Sequence, residues 1–276
     1  MSEQMESATI AGRAQPLSAR ETPASTLLTL LGYLAALVAM GVLAAAGAPT
    51  AAAIGHGVLL VVILTHAGAR LEKAKQVPDA LGRGLCGLAL VPLLGLVGTA
   101  LTSDLLPAPA HVVLVALFAL VGAVLVARIL DLTPAELGVR RGRLPVQLGV
   151  GLTGIPLGLL ALVLGGGRAF EPLAGSSPIL LVPAILLAAA VQELVFRGVL
   201  ATTFAALFGR AGIVCTSALF AVAAVGTGSV GLVVALLVCG LVWAWARERT
   251  GSIAGTTVAH ALVAGGLAFL PPPALG

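Results

Sequence analysis

The chain is a succession of apolar runs, each about as long as a bilayer is thick. A membrane-crossing helix needs roughly 20 mostly apolar residues. Runs of that kind lie near 26–47, 51–69, 84–102, 110–128, 145–166, 178–200, 211–225, 228–246 and 253–270. The sixth is the least regular and the seventh is short. This pattern predicts an all-α fold, a polytopic transmembrane helical bundle of about eight or nine spans. Composition removes the alternatives. Of 276 residues, 59% are hydrophobic and 9% charged, whereas an average soluble domain carries about 25% charged residues. A mean hydropathy of +1.12 leaves too little polar surface for a soluble enzyme, a nucleic-acid-binding domain or a disordered chain. Aromatics are 4% and the runs show no period-2 alternation, which excludes a β-barrel.

The basic residues predict an orientation. Arg70, Lys73, Lys75 and Arg83 sit between spans two and three. Arg128, Arg140, Arg141 and Arg143 sit between four and five, Arg210 follows six, and Arg247 and Arg249 follow eight. The alternate loops hold Asp104 and Glu171 with one arginine, Arg168. By the positive-inside rule the N-terminus is cytoplasmic and the C-terminus outside, in a plasma (inner) membrane. The net charge of +4 therefore reports orientation and not a nucleic-acid partner. Only Lys73 and Lys75 are lysines among fifteen basic residues, a bias that suits a GC-rich bacterial genome. Residues 1–24 are polar, contain Pro16 and Pro23, and are expected to be a disordered cytoplasmic tail. A cleaved signal peptide is the rival reading, with Ala44–Ala48 resembling a cleavage site, but the first run is longer than a typical signal core.

Residues 25–130 then form an N-terminal set of helices, 131–144 a cytoplasmic connection, and 145–270 a second set. Within the connection, Thr133 is an N-cap candidate, Pro134 suits the first helical position, Glu136 completes a capping box and Gly138 ends the turn. A short interfacial helix is expected there. Cys86, Cys215 and Cys239 fall inside apolar runs. They read as buried free thiols, small hydrophobes in effect.

Several motifs have plainer explanations than chemistry. Gly226–Gly231 spells G-x-G-x-x-G, but no strand precedes it, so it reads as a tight turn between spans. Gly154 and Gly158 give G-x-x-x-G with Pro156 between them, the pattern of close helix packing with a kink. His56 and His66 lie nearly three turns apart on one run and on different faces. With His111 at a span end, they read as hydrogen-bonded or interfacial histidines.

Ionisable groups deep in a span are costly and are functional candidates by default. Glu193, Arg197 and His260 stand out. Glu193 and Arg197 are four apart, so they share a helix face and should pair. Thr256, Thr257 and His260 form a second polar stripe, which local hydrogen bonds to the helix backbone also explain. The pair has two readings of equal weight. It locks helices together, or it belongs to a buried centre that handles protons and water.

The run Gln192-Glu193-Leu194-Val195-Phe196-Arg197-Gly198 resembles the first motif, E-E-x-x-F-R-G, of the CPBP intramembrane protease family. That family comprises the CAAX prenyl endopeptidases and the bacteriocin-processing or Abi proteins. Ser217–Ala224 resembles its second motif, F-x-x-x-H, and Ala259–Ala264 its third, H-x-x-x-N. The resemblance covers roughly 130–270, and the stretch Leu137–Arg140 shares the family's look. It implies an intramembrane endopeptidase, and a divalent metal such as zinc as the cofactor. Three departures follow. The family's water-activating glutamate falls on Gln192, its second-motif histidine on Ala224 and its asparagine on Ala264. Glu193, Arg197 and His260 remain. An amide is no carboxylate base and alanine transfers no proton, so the family's water activation and oxyanion stabilisation are both removed. Glu193 and His260 alone are two ligands short of a usual zinc site.

Three functions compete. The favoured one is a degenerate family member, a pseudoprotease that binds a transmembrane or lipidated peptide partner in the bilayer. The second is an active endopeptidase using Glu193 as base with His260 assisting. Glu193 lies about 100° around the helix from Gln192, so this needs a rotated helix or a different pocket. The third is a proton- or ion-coupled transporter, against which stands the lack of a visible inverted repeat.

Overall fold

The computed structural model describes residues 23–73, 79–101, 106–165 and 177–270. The tail of residues 1–22 and the loop residues Lys75, Asp104, Arg168 and Glu171 lie outside the described residues. Twelve α-helices are described: α1 (Pro23–Ala45), α2 (Pro49–Lys73), α3 (Ala80–Leu88), α4 (Leu90–Ala100), α5 (Ala108–Ile129), α6 (Leu144–Leu152), α7 (Gly154–Gly165), α8 (Pro178–Glu193), α9 (Ala201–Phe208), α10 (Gly212–Val222), α11 (Val230–Thr250) and α12 (Ala254–Phe269). No strand occurs among the described residues.

Seven helical stretches among the described residues are long and apolar enough to cross a membrane, and α12 is a shorter apolar helix. Large apolar side chains face outward along them, including Leu28, Ile54, Ile179 and Val230. Lipid tails make such a surface comfortable, where water would not. The protein is a multi-pass, all-α membrane bundle.

Two interruptions explain the irregular sixth run and the short seventh. One stretch, Pro178–Thr227, is 50 residues long and holds both runs. At Gly209 the backbone takes φ +55°, a conformation glycine adopts without a Cβ penalty. The chain folds back there. A continuous helix would hold Phe204 and Gly212 about 12 Å apart, yet a Cβ on Gly212 would lie 2.8 Å from the Phe204 backbone. Before this bend, Leu194–Leu200 is a π-helical turn, a feature frequent at functional sites.

The packing order brings the second half of the chain together. The helix α12 lies against α6, α7 and α8, while α11 lies against α7 and α10. The α7–α12 contact needs glycine. A Cβ on Gly154 would stand 2.4 Å from the Ala259 carbonyl oxygen, and one on Gly158 would meet Val263 at 3.5 Å. This is the close approach that small-x-x-x-small spacing permits. From the first half, α5 packs on α8, and α3 packs on α9.

The connection after α5 forms a single turn instead of the expected short helix. Its capping box is present: the Thr133 N–H donates to Glu136 Oε2 (2.8 Å) and the Glu136 N–H to Thr133 Oγ1 (3.3 Å). Gly138 then turns left-handed at φ +72° and stops the helix after one turn. The turn is pinned to the α11–α12 corner by Ile253 N–H to Gly138 O (3.1 Å), Ser252 Oγ to Arg140 O (3.0 Å) and Arg140 Nε to Gly251 O (2.9 Å). The G-x-G-x-x-G stretch is a turn. Gly228 has φ +71°, and Ser229 caps α11 by accepting from the Leu232 N–H at 3.2 Å.

The three thiols are free. Cys86 and Cys239 are buried, but Cys215 is only half-buried, because it lies on the less covered side of the short α10.

Candidate functional site

Glu193 is the last residue of α8, and the π-helical turn that follows carries Arg197. Glu193 is 0% exposed and Arg197 2%. Arg197 Nη1 donates to Glu193 Oε1 at 3.1 Å. His260, brought in by α12, places Nδ1 3.0 Å from the same oxygen. The structure thus joins the three ionisable residues singled out in the sequence. A carboxylate paired with a guanidinium only accepts, so the His260 Nδ1–H must be the donor. In the neutral imidazole this tautomer makes Nε2 the acceptor nitrogen, the carboxylate–imidazole arrangement of catalytic dyads.

Aromatic residues close around the charges. The Arg197 guanidinium carbon lies 4.2 Å from the Phe220 ring centre and 5.5 Å from that of Trp243. His260 stacks on Trp243, with centroids 5.3 Å apart and planes 27° apart, and meets Phe220 edge-on. Phe196 packs edge-on against Phe220. A ring face attracts a cation by about 2 kcal/mol when both are desolvated, which helps to hold Arg197 in the interior. Sequence reasoning missed this clamp. Phe196 and Phe220 lie within the quoted motifs, but Trp243 has no local signal that marks it. Three buried polar atoms here have no hydrogen-bond partner: Glu193 Oε2, Arg197 Nη2 and Trp243 Nε1. Native interiors tolerate few such atoms.

The π-helical turn frees a carbonyl, and a distant arginine takes it. Arg247 Nε donates to Arg197 O at 3.1 Å. Arg247 Nη2 donates to Glu136 O, as does Thr202 Oγ1 (2.8 Å). The capped turn after α5 is thereby tied to the segment that carries the charges.

A cavity of about 280 Å³ adjoins the centre. Gln192, Phe220, Ala224, Thr227, His260 and Ala264 line it, along with apolar side chains of α5, α8, α11 and α12. All three positions that depart from the family motifs, Gln192, Ala224 and Ala264, face this one space. Glu193 does not line it. The 100° step from Gln192 to Glu193 turns the carboxylate away from the cavity and into the aromatic clamp. His260 bridges the two environments, with Nδ1 on Glu193 and its ring on the cavity wall, and Phe220 does so beside it. A smaller cavity of about 150 Å³ lies alongside, lined by His111 and sharing Val112, Ala188 and Gln192.

The motif segments and most of the residues around this cavity lie in a segment that a family model matches. Residues 174–265 match the type II CAAX prenyl endopeptidase, Rce1-like. The matched segment includes Gln192–Gly198, Ser217–Ala224 and Ala259–Ala264, so it agrees with the family to which those motifs pointed. No curated protein and no solved structure matches the chain. The protein is an integral membrane protein whose residues 174–265 are similar to that CAAX endopeptidase family.

The residues present do not fit the divalent metal that the family implies. Glu193 is the carboxylate of the centre, and its Oε1 is already shared by Arg197 and His260. A guanidinium 3.1 Å away repels a second cation. Among the described residues no three His, Cys, Asp or Glu side chains are grouped to hold a metal.

His66 and His56 stay apart from the centre. His66 Nδ1 is 2.9 Å from the Tyr33 hydroxyl. His56 is buried against Gly95, whose missing Cβ would sit 2.4 Å from the His56 ring. Thr256 is at the centre instead: its side chain lies within hydrogen-bonding range of the Glu193 carboxylate, while its Oγ1 donates to Ile253 O at 3.0 Å.

Proposed function

We propose that this protein is a degenerate CAAX-protease-like member that binds an apolar segment of a membrane or lipidated partner without cutting it. One observation carries the reading. Gln192, Ala224, Ala264 and His260 line a single cavity, and the nearby carboxylate, Glu193, is fully buried outside it. Hydrolysis needs a base within reach of a water beside the scissile carbonyl, and donors aimed at the developing oxyanion. The cavity offers an amide and one imidazole where the motif calls for a carboxylate, two histidines and an asparagine. What the alanines leave is room.

A second reading has support from the Glu193–His260 contact. There His260 Nε2, and not Glu193, is the base, and Glu193 orients it. This replaces the role assignment in which Glu193 itself attacks the water's proton.

Purified protein in liposomes, mixed with prenylated and transmembrane peptides and followed by mass spectrometry, separates the two. Binding without products, in the unaltered protein and in Glu193→Ala and His260→Ala alike, fits the proposal. Cleavage that both substitutions abolish sinks it in favour of the second reading.

A further inference from the structure

The shape and the polar corner of the cavity say more about its occupant, on the reading that it binds without cutting. The cavity holds about 280 Å³. Apolar cavities of about 150 Å³ take a benzene ring. By that scale this one takes a single chain of roughly a dozen heavy atoms.

Its walls are mostly aliphatic, with Ile185, Leu232, Leu236, Val263 and Leu267 among them. Polar contact is confined to Gln192, Thr227 and His260. His260 turns Nδ1 to the same Glu193 oxygen that Arg197 faces from the π-helical turn, so Nε2 is the ring nitrogen left for the cavity, and in the neutral imidazole it accepts. From the other packed elements, the groups nearest the ring are Phe220 of α10 and Trp243 of α11, neither of which carries charge. The corner therefore favours a neutral hydrogen-bond donor over a carboxylate or phosphate.

Among its lining residues, Thr227, Leu232, Val112 and Leu267 lie toward the helix ends opposite the turn 131–143, which is pinned to the α11–α12 corner.

We propose that the cavity is a site for a single-chain neutral amphiphile. Its O–H or N–H donates to His260 Nε2 and its tail lies along the aliphatic wall. The test uses four probes of equal chain length, each with a photoreactive diazirine in the tail. They are a ten-carbon alcohol, its methyl ether, an N-alkyl acetamide and its N-methylated form. The protein is reconstituted in nanodiscs, irradiated, digested and mapped by mass spectrometry. The alcohol or the secondary amide should label cavity residues about five-fold more than its capped partner, the effect of one neutral hydrogen bond. Whichever donor shows the larger ratio identifies the O–H or the N–H source. Ala264→Phe, which fills the cavity, should abolish labelling there by all four, and His260→Phe should bring the ratios to about one.

Equal labelling by donors and capped probes in the unaltered protein overturns the hydrogen-bond assignment, whatever the variants do. If that equal labelling is still blocked by Ala264→Phe, the binding reading itself survives. Labelling untouched by Ala264→Phe overturns both.

Discussion

Replacing Glu193 by alanine should unfold this protein more easily, by an amount the structure allows us to bound. Glu193 is 0% exposed and accepts from both Arg197 and His260 on one oxygen. Removing one partner of a buried ion pair costs about 3–5 kcal/mol, because the other charge is left uncompensated. The rings of Phe220 and Trp243 still face Arg197, and they offset about 2 kcal/mol of its burial in both proteins, so they do not rescue the variant. The lost His260 acceptor adds about 1 kcal/mol or more. At 2–4 °C per kcal/mol for a domain of roughly this size, Tm in detergent should fall by about 8–24 °C. Trp243 stacks on His260, so tryptophan emission in a Trp245→Phe background reports the centre directly. The double variant Glu193→Leu/Arg197→Met removes both charges and should recover most of the loss. A Tm for Glu193→Ala within about 2 °C of the unaltered protein would refute the view that this pair is an interior charge held by its partner.

Other consequences follow from single contacts. Arg247→Ala removes charge-assisted bonds to Arg197 O and Glu136 O. It should cost about 2–3 kcal/mol and raise hydrogen exchange in residues 133–140 above that of α5; equal exchange would mean the turn is held by other bonds. Gly154→Val drives side-chain atoms into the Ala259 backbone and should cost more than about 3 kcal/mol, read as Tm, whereas Gly149→Ala, with open space beside it, should change little. Asp79 caps α3 and pairs with Arg70 through both oxygens. Burial works against its charge, but the Arg70 guanidinium and the backbone N–H groups of Gly82 and Leu81 hold its carboxyl below the usual range. A lowered folded-state pKa contributes stability above the unfolded value, about pH 4, and that stability is lost as pH falls through the folded value. Asp79→Asn should therefore lower Tm at pH 6 and flatten the decline of Tm below about pH 4; parallel Tm–pH curves for the two proteins would contradict this.

Much of the architecture was legible because the bilayer forces it. Apolar runs of spanning length can only be helices, so the bundle, the irregular sixth run and the short seventh were all visible as hydropathy. The i, i+4 spacing of Glu193 and Arg197 gave their pairing, and the cost of charge in a span gave His260 as a candidate. The joining of His260 to Glu193 was not legible, since contact between residues 67 apart depends on how α12 crosses α8. That crossing rests on Gly154 and Gly158 of a third helix. The step of about 100° between Gln192 and Glu193 already put them on different faces, but which face meets the cavity depends on the helices packed around α8. Trp243 and Arg247 carry no local pattern at all. They matter only because α11 brings one to the imidazole and the other to a carbonyl freed by the π-turn. The turn at Gly138 shows the opposite limit: its cap was readable, but its length was set by a left-handed glycine and by the α11–α12 corner that holds it.

The most direct test of the central claim restores what the cavity has lost. The triple variant Gln192→Glu/Ala224→His/Ala264→Asn is purified, checked for a Tm close to that of the unaltered protein, and incubated in liposomes with prenylated and transmembrane peptides. Mass spectrometry of the products reads the result. The account predicts that the unaltered protein binds peptide and yields no products, while the restored protein cuts. Cleavage by the unaltered protein, lost in His260→Ala, would contradict it and would make the Glu193–His260 dyad a working catalytic centre.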